Sequence, residues 1–342
     1  MKCRDELVRR FPALGQLGEH CYVVGGAIRD LLLGIEPGDA DVACVDALSA
    51  ARSLHGRLVR LGDQEELTAY RVVLPEHEYD FAALLDGDLM TDLARRDFTI
   101  NAMAVDLRHD ELIDPHGGQD DLAARLVRMV RASNFDDDPL RMLKGVRMAV
   151  KYSFEIEPST LEAIRARAHR IPEVARERVT YELSAIFSAN AFRRAVSLLH
   201  ETGLDAPLGL RTREFFADDV SLAGAWALLL DDPPREAATL RRLIDEHDRL
   251  ALYDAGEELA RQLPAVLRAL GRDDALDWPD FAARALLTGE EIAALTGLAP
   301  GRELGARKRA LIEAQIMGTV RTRAEAEQLV QRRAGFSPPA TG

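Results

Sequence analysis

The feature that most constrains this chain is the stretch Tyr22-Val23-Val24-Gly25-Gly26-Ala27-Ile28-Arg29-Asp30, with Asp39-Ala40-Asp41 shortly after it. A buried-type apolar strand runs into two glycines, and a helix opens directly after them with Arg29 and Asp30 on it. Glycine lets a backbone approach an anion closely, and the unpaired N–H groups at a helix start offer that anion hydrogen bonds and a positive dipole end. Arg29, one turn in, adds a charge-assisted contact. Asp39 and Asp41 stand two residues apart on the next expected strand, so both side chains leave one face and can hold one divalent cation. The glycines do not lead into Lys-Ser or Lys-Thr and do not form GxGxxG, which excludes a Walker loop and a dinucleotide fingerprint. What remains is a phosphate site with metal ligands. A third carboxylate from a neighbouring strand would complete a two-metal centre for in-line phosphoryl displacement, and Asp80, in Glu78-Tyr79-Asp80-Phe81-Ala82, is the best placed.

Around this stretch the residue periods divide the chain. Strands are expected over 21–24, 39–45, 57–61, 67–74 and 78–83, with polar turns at Gly62-Asp63 and Pro75-Glu76, and helices over 26–33 and 47–54. The N-terminal third therefore reads as a small mixed sheet carrying the glycines and carboxylates. A short helix beginning at Leu89 runs into Arg95-Arg96-Asp97, 113–118 reads as a turn, and 120–126 restarts a helix. Beyond about Asp137 strand signals fade. Helical periods then cover 140–150, 160–170, 178–188 and 192–202, with Pro158, Pro172 and Pro207 as breaks. The expected class is α+β: a catalytic-type head over 1–135, a helical neck over 136–205, a helical body and tail over 206–334, and a disordered end over 335–342.

Composition narrows the function. A net charge of −13 argues against a protein that simply coats nucleic acid, because such binding rests on neutralising phosphates. From Arg302 to Arg333, however, eight basic residues face four acidic ones, a local +4 that keeps RNA contact open there. Cys3, Cys21 and Cys44 form no CxxC pair, which argues against a disulfide framework or a zinc site. No apolar run approaches the ~18 to 20 residues of a membrane helix. Met1-Lys2-Cys3-Arg4-Asp5-Glu6 has no apolar signal core behind it, so a cytoplasmic protein without membrane contact is expected.

Together with three later motifs, the glycines and aspartates resemble the tRNA nucleotidyltransferase and bacterial poly(A) polymerase family, the second class of the polymerase β-like nucleotidyltransferases. Arg95-Arg96-Asp97-Phe98-Thr99-Ile100-Asn101-Ala102 looks like the family's ribose-selecting motif, and Asp137-Asp138-Pro139-Leu140-Arg141 resembles its nucleotide-choosing motif. Glu177-Arg178-Val179-Thr180-Tyr181-Glu182 matches its Glu-Arg-x-x-x-Glu. The resemblance implies that Asp39, Asp41 and Asp80 are catalytic and bind two Mg2+ ions. It places Gly25, Gly26, Arg29 and Asp30 at the triphosphate of an incoming CTP or ATP, and Arg96, Asp97 and Asn101 around the ribose. A carboxylate accepting the 2′-OH is a direct way to prefer ribonucleotides. Asp138 and Arg141, one helical turn apart and expected on one helix face, would read the base, so that the protein itself is the template. Lys144 and Arg147 continue that face, although the family has arginine where Lys144 stands and lysine lacks its planar fork. Glu177, Arg178 and Glu182 would support the template helix through a buried ionic network.

The same resemblance implies extension of the 3′ end of tRNA with C and A from CTP and ATP, as a CCA or CC end, releasing pyrophosphate. The tRNA body would lie on the C-terminal helices, with no obligatory protein partner. Segments near Leu286, Pro300 and Ala314 match the tRNA-specific members, whereas poly(A) polymerases of the family usually carry an arginine-rich extension that this chain lacks. Residues 210–280 match weakly. His247-Asp248 invites comparison with an HD phosphohydrolase, but Leu230 stands where a ligand histidine would be, so a non-catalytic spacer is expected. Between Asp80 and Arg95 the flexible loop of full CCA-adding members is shortened, which points to a partial end, CC or another part of CCA.

Overall fold

The computed structural model describes residues 3–61 and 69–332. The Gly62-Asp63 turn, the first two residues of the strand expected over 67–74, Arg333 and the 335–342 tail lie outside the described residues. The chain divides into two compact units, Met1–Thr212 and Arg213–Gly342.

The first unit contains, in order, α1 (Cys3–Arg10), β1 (Cys21–Val24), α2 (Gly26–Leu32), β2 (Ala40–Cys44), α3 (Ala47–Ser53), β3 (Arg57–Leu61), β4 (Ala69–Val73), β5 (Glu78–Ala83) and α4 (Leu89–Ala94). After these come β6 (Ala104–Asp106), β7 (Glu111–Ile113), α5 (Gly118–Ala124), β8 (Leu126–Val127), α6 (Asn134–Asp137), α7 (Leu140–Tyr152), β9 (Glu155–Ile156), α8 (Pro158–Arg167), α9 (Arg176–Phe187) and α10 (Phe192–Glu201). Among the described residues seven strands form one sheet in the order β3-β4-β5-β2-β1-β6-β7, with β2 and β5 parallel and every other pair antiparallel. The near-continuous apolar runs of β1 and β2 place these strands in the middle of the sheet, where both faces are covered. Cys21 and Cys44 face one another across that pair as buried free thiols.

The sheet exceeds the expected one by β6 and β7, and the residues from Glu111 to Ile113 pair as a strand just before the expected turn. Strands of three residues are too short to display an alternation, so the pairing of β6 against β1 and of β7 against β6, rather than local pattern, creates them. Helix α7 carries Leu140, Leu143, Val146 and Val150 on its buried side, and Arg141, Lys144 and Arg147 at three-residue steps on the more open one. The residues read as head and neck pack into one unit. Asn134 Nδ2 donates to the carbonyls of Ala94 and Arg96, and the Tyr152 hydroxyl donates to Asp30 at 2.7 Å. One expectation needs correcting: Asp138 does not share a helix face with Arg141. It lies before α7 in extended backbone (φ −144°, ψ 96°), because Pro139 restricts the residue ahead of it to that region.

The second unit contains α11 (Leu222–Leu229), α12 (Arg235–Asp245), α13 (Arg249–Ala255), α14 (Glu257–Ala260), α15 (Leu263–Ala269), α16 (Gly289–Thr296), α17 (Arg302–Ile316) and α18 (Arg323–Gln331). Leu287, Ile292, Leu311, Val320, Ala326 and Val330 form a core among the last three helices. Thr288 with Glu291 and Thr322 with Glu325 close reciprocal capping boxes, and Arg323 joins the two caps by pairing with Glu291 at 2.6 Å. His247 is held by the Leu243 carbonyl and Asp274, while Asp248 caps α13. Among the described residues no helix is long and apolar enough to cross a membrane.

Gly145 sets the distance between α7 and the ribose-motif segment, since a Cβ there would lie 2.8 Å from the fully buried Phe98 ring. Gly145→Val is expected to lower stability by about 1–3 kcal/mol or more through overpacking, read as a lower midpoint in urea denaturation.

Candidate active site

Parallel pairing of β2 with β5 sets Asp41 beside Asp80, so the two carboxylates leave the same face of neighbouring strands. Asp39 enters from the segment just before β2. Solvent reaches the Asp41 carboxylate, yet protein atoms crowd it. Its carboxyl is pushed from the ordinary 3.8 up to about 6, first by lost hydration and then by the charges of Asp39 and Asp80, against the pull of Arg96 and Arg71. Asp80 is not in the same position. Arg71, its partner across β4 and β5, grips it through Nε and Nη2, both at 2.8 Å. Among the described residues no group of three or more His, Cys, Asp or Glu side chains is placed to hold a metal ion. Of the three carboxylates expected from the sequence, Asp80 is held by Arg71, while Asp39 and Asp41 beside it have no hydrogen-bond partner among the described residues. The donor chemistry of that pair fits a hard divalent cation: two oxygen ligands, neither hydrogen-bonded among the described residues, whose mutual repulsion a cation relieves.

Gly25 is the point at which the motifs meet. Its φ of 74° lies in the region that favours glycine, and a Cβ there would come within 3.0 Å of Arg96 Nη1, 3.7 Å of the Asn101 carbonyl and 3.9 Å of Asp41 Oδ2. Any side chain at this position would push apart the aspartate strand and the ribose motif. Arg96 is oriented by the buried Asp92 at 3.1 Å, and its Nε is buried without a hydrogen-bond partner. An orphaned donor on an arginine that reaches a glycine without a side chain to block it fits an anion as its missing partner.

Arg29 takes a more enclosed position than its motif implies. It is only 7% exposed and folds back over Gly26. It pairs with Asp30 at 2.8 Å, donates to Asn101 Oδ1 at 2.5 Å and lies 4.8 Å from the centre of the Tyr152 ring. Asn101 in turn donates from Nδ2 to Asp97 Oδ1 at 3.0 Å, and that oxygen also accepts the Phe98 N–H. Asp97 Oδ2 is left facing no hydrogen-bond partner among the described residues.

The remaining motif residues gather on α7 and α9. Asp138 accepts from the Leu140 N–H through Oδ1 and from Arg178 through Oδ2 at 3.0 Å. Arg141 donates to the Asn134 carbonyl, and Arg147 pairs with the buried Glu182 at 2.7 Å. Lys144 and Glu177 line an open pocket between the two helices, together with Leu140, Arg178, Tyr181 and Glu182. Sequence reasoning missed Arg71, Asp92, Asn134 and Tyr152, which orient these groups. Asp92 had a signal, since it stands three and four residues before Arg95 and Arg96 on one helix face, and it pairs with both. Arg71 had none without knowledge of the strand register.

Residues 21–84 and 59–128 match the family described as the poly A polymerase head domain, and 153–208 match the probable RNA and SrmB-binding site of polymerase A. The A-adding tRNA nucleotidyltransferase of Deinococcus radiodurans is 32% identical, over 97% of this chain and 100% of that protein. The chain belongs to the tRNA nucleotidyltransferase family. Within that family the CC-adding enzyme of Geobacter sulfurreducens is 30% identical over 94% of each chain. The CC-adding enzyme of Halalkalibacterium halodurans is 34% identical over 58% of this chain and only 54% of its own length. The crystal structure of the Bacillus stearothermophilus CCA-adding enzyme in complex with CTP superposes with a TM-score of 0.75 at 25% identity, covering 96% of this chain and 97% of that one.

The raised Asp41 carboxyl yields a test of this geometry. Because its folded pKa lies above the ordinary 3.8, the group favours the folded state at low pH, and that contribution is lost as pH rises toward about 6. Asp41→Asn is expected to stabilise the unliganded protein above pH 6 and to change little near pH 4, as measured by thermal unfolding across pH. Asp39→Asn should move the Asp41 titration, tracked by carboxyl 13C NMR, below 6.

Proposed function

We propose that this chain extends the 3′ end of tRNA with nucleotides from CTP and ATP, releasing pyrophosphate, and that it builds part of the CCA end rather than all of it. The observation that carries the reading is the convergence at Gly25, where an aspartate of the cation pair, a partly unsatisfied arginine and the ribose-motif backbone lie within 4 Å of the position a Cβ would take. Asp39 and Asp41 would hold magnesium. When bound, the metal supplies charge neutralisation on the transferring phosphoryl group and a lower pKa for the attacking hydroxyl.

The chain's own residues do the rest. Gly25 lets the triphosphate approach the backbone, and Arg96 meets its charge with a donor already oriented by Asp92. Arg29 works from behind this contact: it fixes Asn101, which fixes Asp97, whose outer oxygen accepts the ribose 2′-OH. Asp138 and Arg141 present acceptor and donor groups to the base edge from a turn held by Arg178 and Asn134, and Lys144 and Arg147 extend that polar face. The terminal hydroxyl of the RNA attacks the α-phosphorus, its proton leaves to solvent or a neighbouring carboxylate, and the bond to pyrophosphate breaks.

Partial addition is supported by the connection after β5, which is only Leu84 to Asp88 long, and by the named activities of the two relatives that align along nearly their whole length. Binding of the tRNA body falls to the second unit. There, Arg307, Arg309 and Arg323 are engaged in internal pairs, while Arg302, Lys308 and Arg332 have no such partner among the described residues. With tRNA as its substrate, the chain would act in the cytoplasm.

Asp39→Ala and Asp41→Ala are each expected to abolish transfer while the circular dichroism spectrum stays native; substantial residual transfer would refute the assignment. A tRNA lacking its 3′ end, incubated with CTP and ATP and then sequenced, should acquire C or A but not the complete CCA. Asp138→Ala should chiefly weaken discrimination against UTP and GTP, read as competing incorporation.

A further inference from the structure

We propose that Tyr181, with Lys144 beside it, is a stacking platform for an unpaired cytosine or adenine of the RNA substrate; the inference rests on the RNA-extending function proposed above. The pocket between α7 and α9 has a volume of about 380 Å3. That is within the roughly 300–1,000 Å3 usual for small-ligand sites. Tyr181 is 71% exposed, more than any other large hydrophobic side chain among the described residues. A single exposed aromatic needs no explanation in itself. This one is set apart by its surroundings.

Three observations point to a nucleotide. First, the ring stands on a helix whose adjacent residues are anchored to the base-reading segment, since Arg178 holds Asp138 and Glu182 holds Arg147. The platform is therefore held in register with the turn proposed to read the incoming base. Second, the other cation lining the pocket, Arg178, is paired with Asp138, whereas the Lys144 ammonium makes no hydrogen bond or ion pair among the described residues. A cation sharing a pocket with an aromatic face is the combination that grips single-stranded nucleic acid, the ring taking the base and the ammonium the phosphate. Third, Glu177 lines the same pocket, and its carboxylate has no hydrogen-bond or ion-pair partner among the described residues. It can accept from an exocyclic amino group, which cytosine and adenine carry and uracil lacks.

The site so defined differs from the nucleotide site at Gly25: it holds a base of the strand being extended, in a position to be vacated and refilled as the end grows. The test uses the full chain and an RNA hairpin with an unpaired 3′ end in which one base is 2-aminopurine, so that binding is read independently of transfer. Wild-type protein should quench the probe on binding. Tyr181→Phe should retain the quench, and Tyr181→Ala should abolish it and raise the Kd by about 5- to 150-fold, the range expected for losing one base–aromatic stack. The KM for the RNA should rise in parallel while the KM for CTP stays within about twofold. Lys144→Gln should reduce the slope of log affinity against log salt by about one. Hairpin bound equally well and with equal quenching by Tyr181→Ala overturns this inference and leaves the proposed function standing. A wild-type chain that neither binds nor extends the hairpin overturns both.

Discussion

Arg29 is the interaction on which the rest of the site depends. A guanidinium 7% exposed is costly unless its donors are used, and here they are: Asp30 neutralises it, Asn101 accepts from it, and the Tyr152 ring covers its face. Those partners come from α2, from the ribose motif and from α7. One buried cation thus fixes three segments far apart in the chain, and removing it would leave Asp30 with Tyr152 but without its counter-charge. The tying of α2 to α7 also explains why the regions read from sequence as a head and a neck belong to one compact unit.

The acids of the site divide by whether they have a partner. Asp80 is taken by Arg71, Asp92 by Arg95 and Arg96, Asp138 by Arg178 and Glu182 by Arg147. Asp39 and Asp41 have none among the described residues, and in its crowded position the Asp41 carboxyl resists ionisation. Leaving two carboxylates unneutralised in such a place opposes stability, while the neighbouring Asp80, Asp92 and Asp138 are each paired, and such an unmet repulsion is the kind a bound cation relieves. The arginine on Asp80 sharpens the point, because it withdraws the third carboxylate and concentrates the unmet charge on a pair two residues apart.

Much of this was legible in the chain. The strand, glycines and helix from Cys21 to Leu32 arise from local chemistry, since only glycine suits the φ of 74° at Gly25, and the apolar run before it has the length of a strand. The α7 helix was legible for the same reason: its apolar period is sustained over three turns. What was not legible depends on pairing. Neither β6 nor the Arg71–Asp80 contact has a local signature, because both arise from register across strands distant in sequence. Asp138 misled through its spacing: three residues before Arg141 is one helical turn only if the helix has begun, and Pro139 forces it to begin later.

The connection after β5 shows how a short segment can shift the burden of specificity. Leu84 is buried, and the Leu85 carbonyl accepts the Asp88 N–H. Asp86 and Gly87 turn the chain with φ of 55° and 69°, and Asp88 immediately caps α4 through the Thr91 N–H and hydroxyl. Every residue of the link is thus committed to burial, to the turn or to a cap. A segment so constrained has no slack with which to reach toward a base or to alternate between two pocket shapes. If the pocket must distinguish one nucleotide from another, the distinction has to come from groups with donors and acceptors still to offer, and in this unit those lie on Arg141 and around the turn at Asp138. That turn is held from outside by Arg178, so the geometry of the groups proposed to read the base is set by α9 rather than by a moving loop.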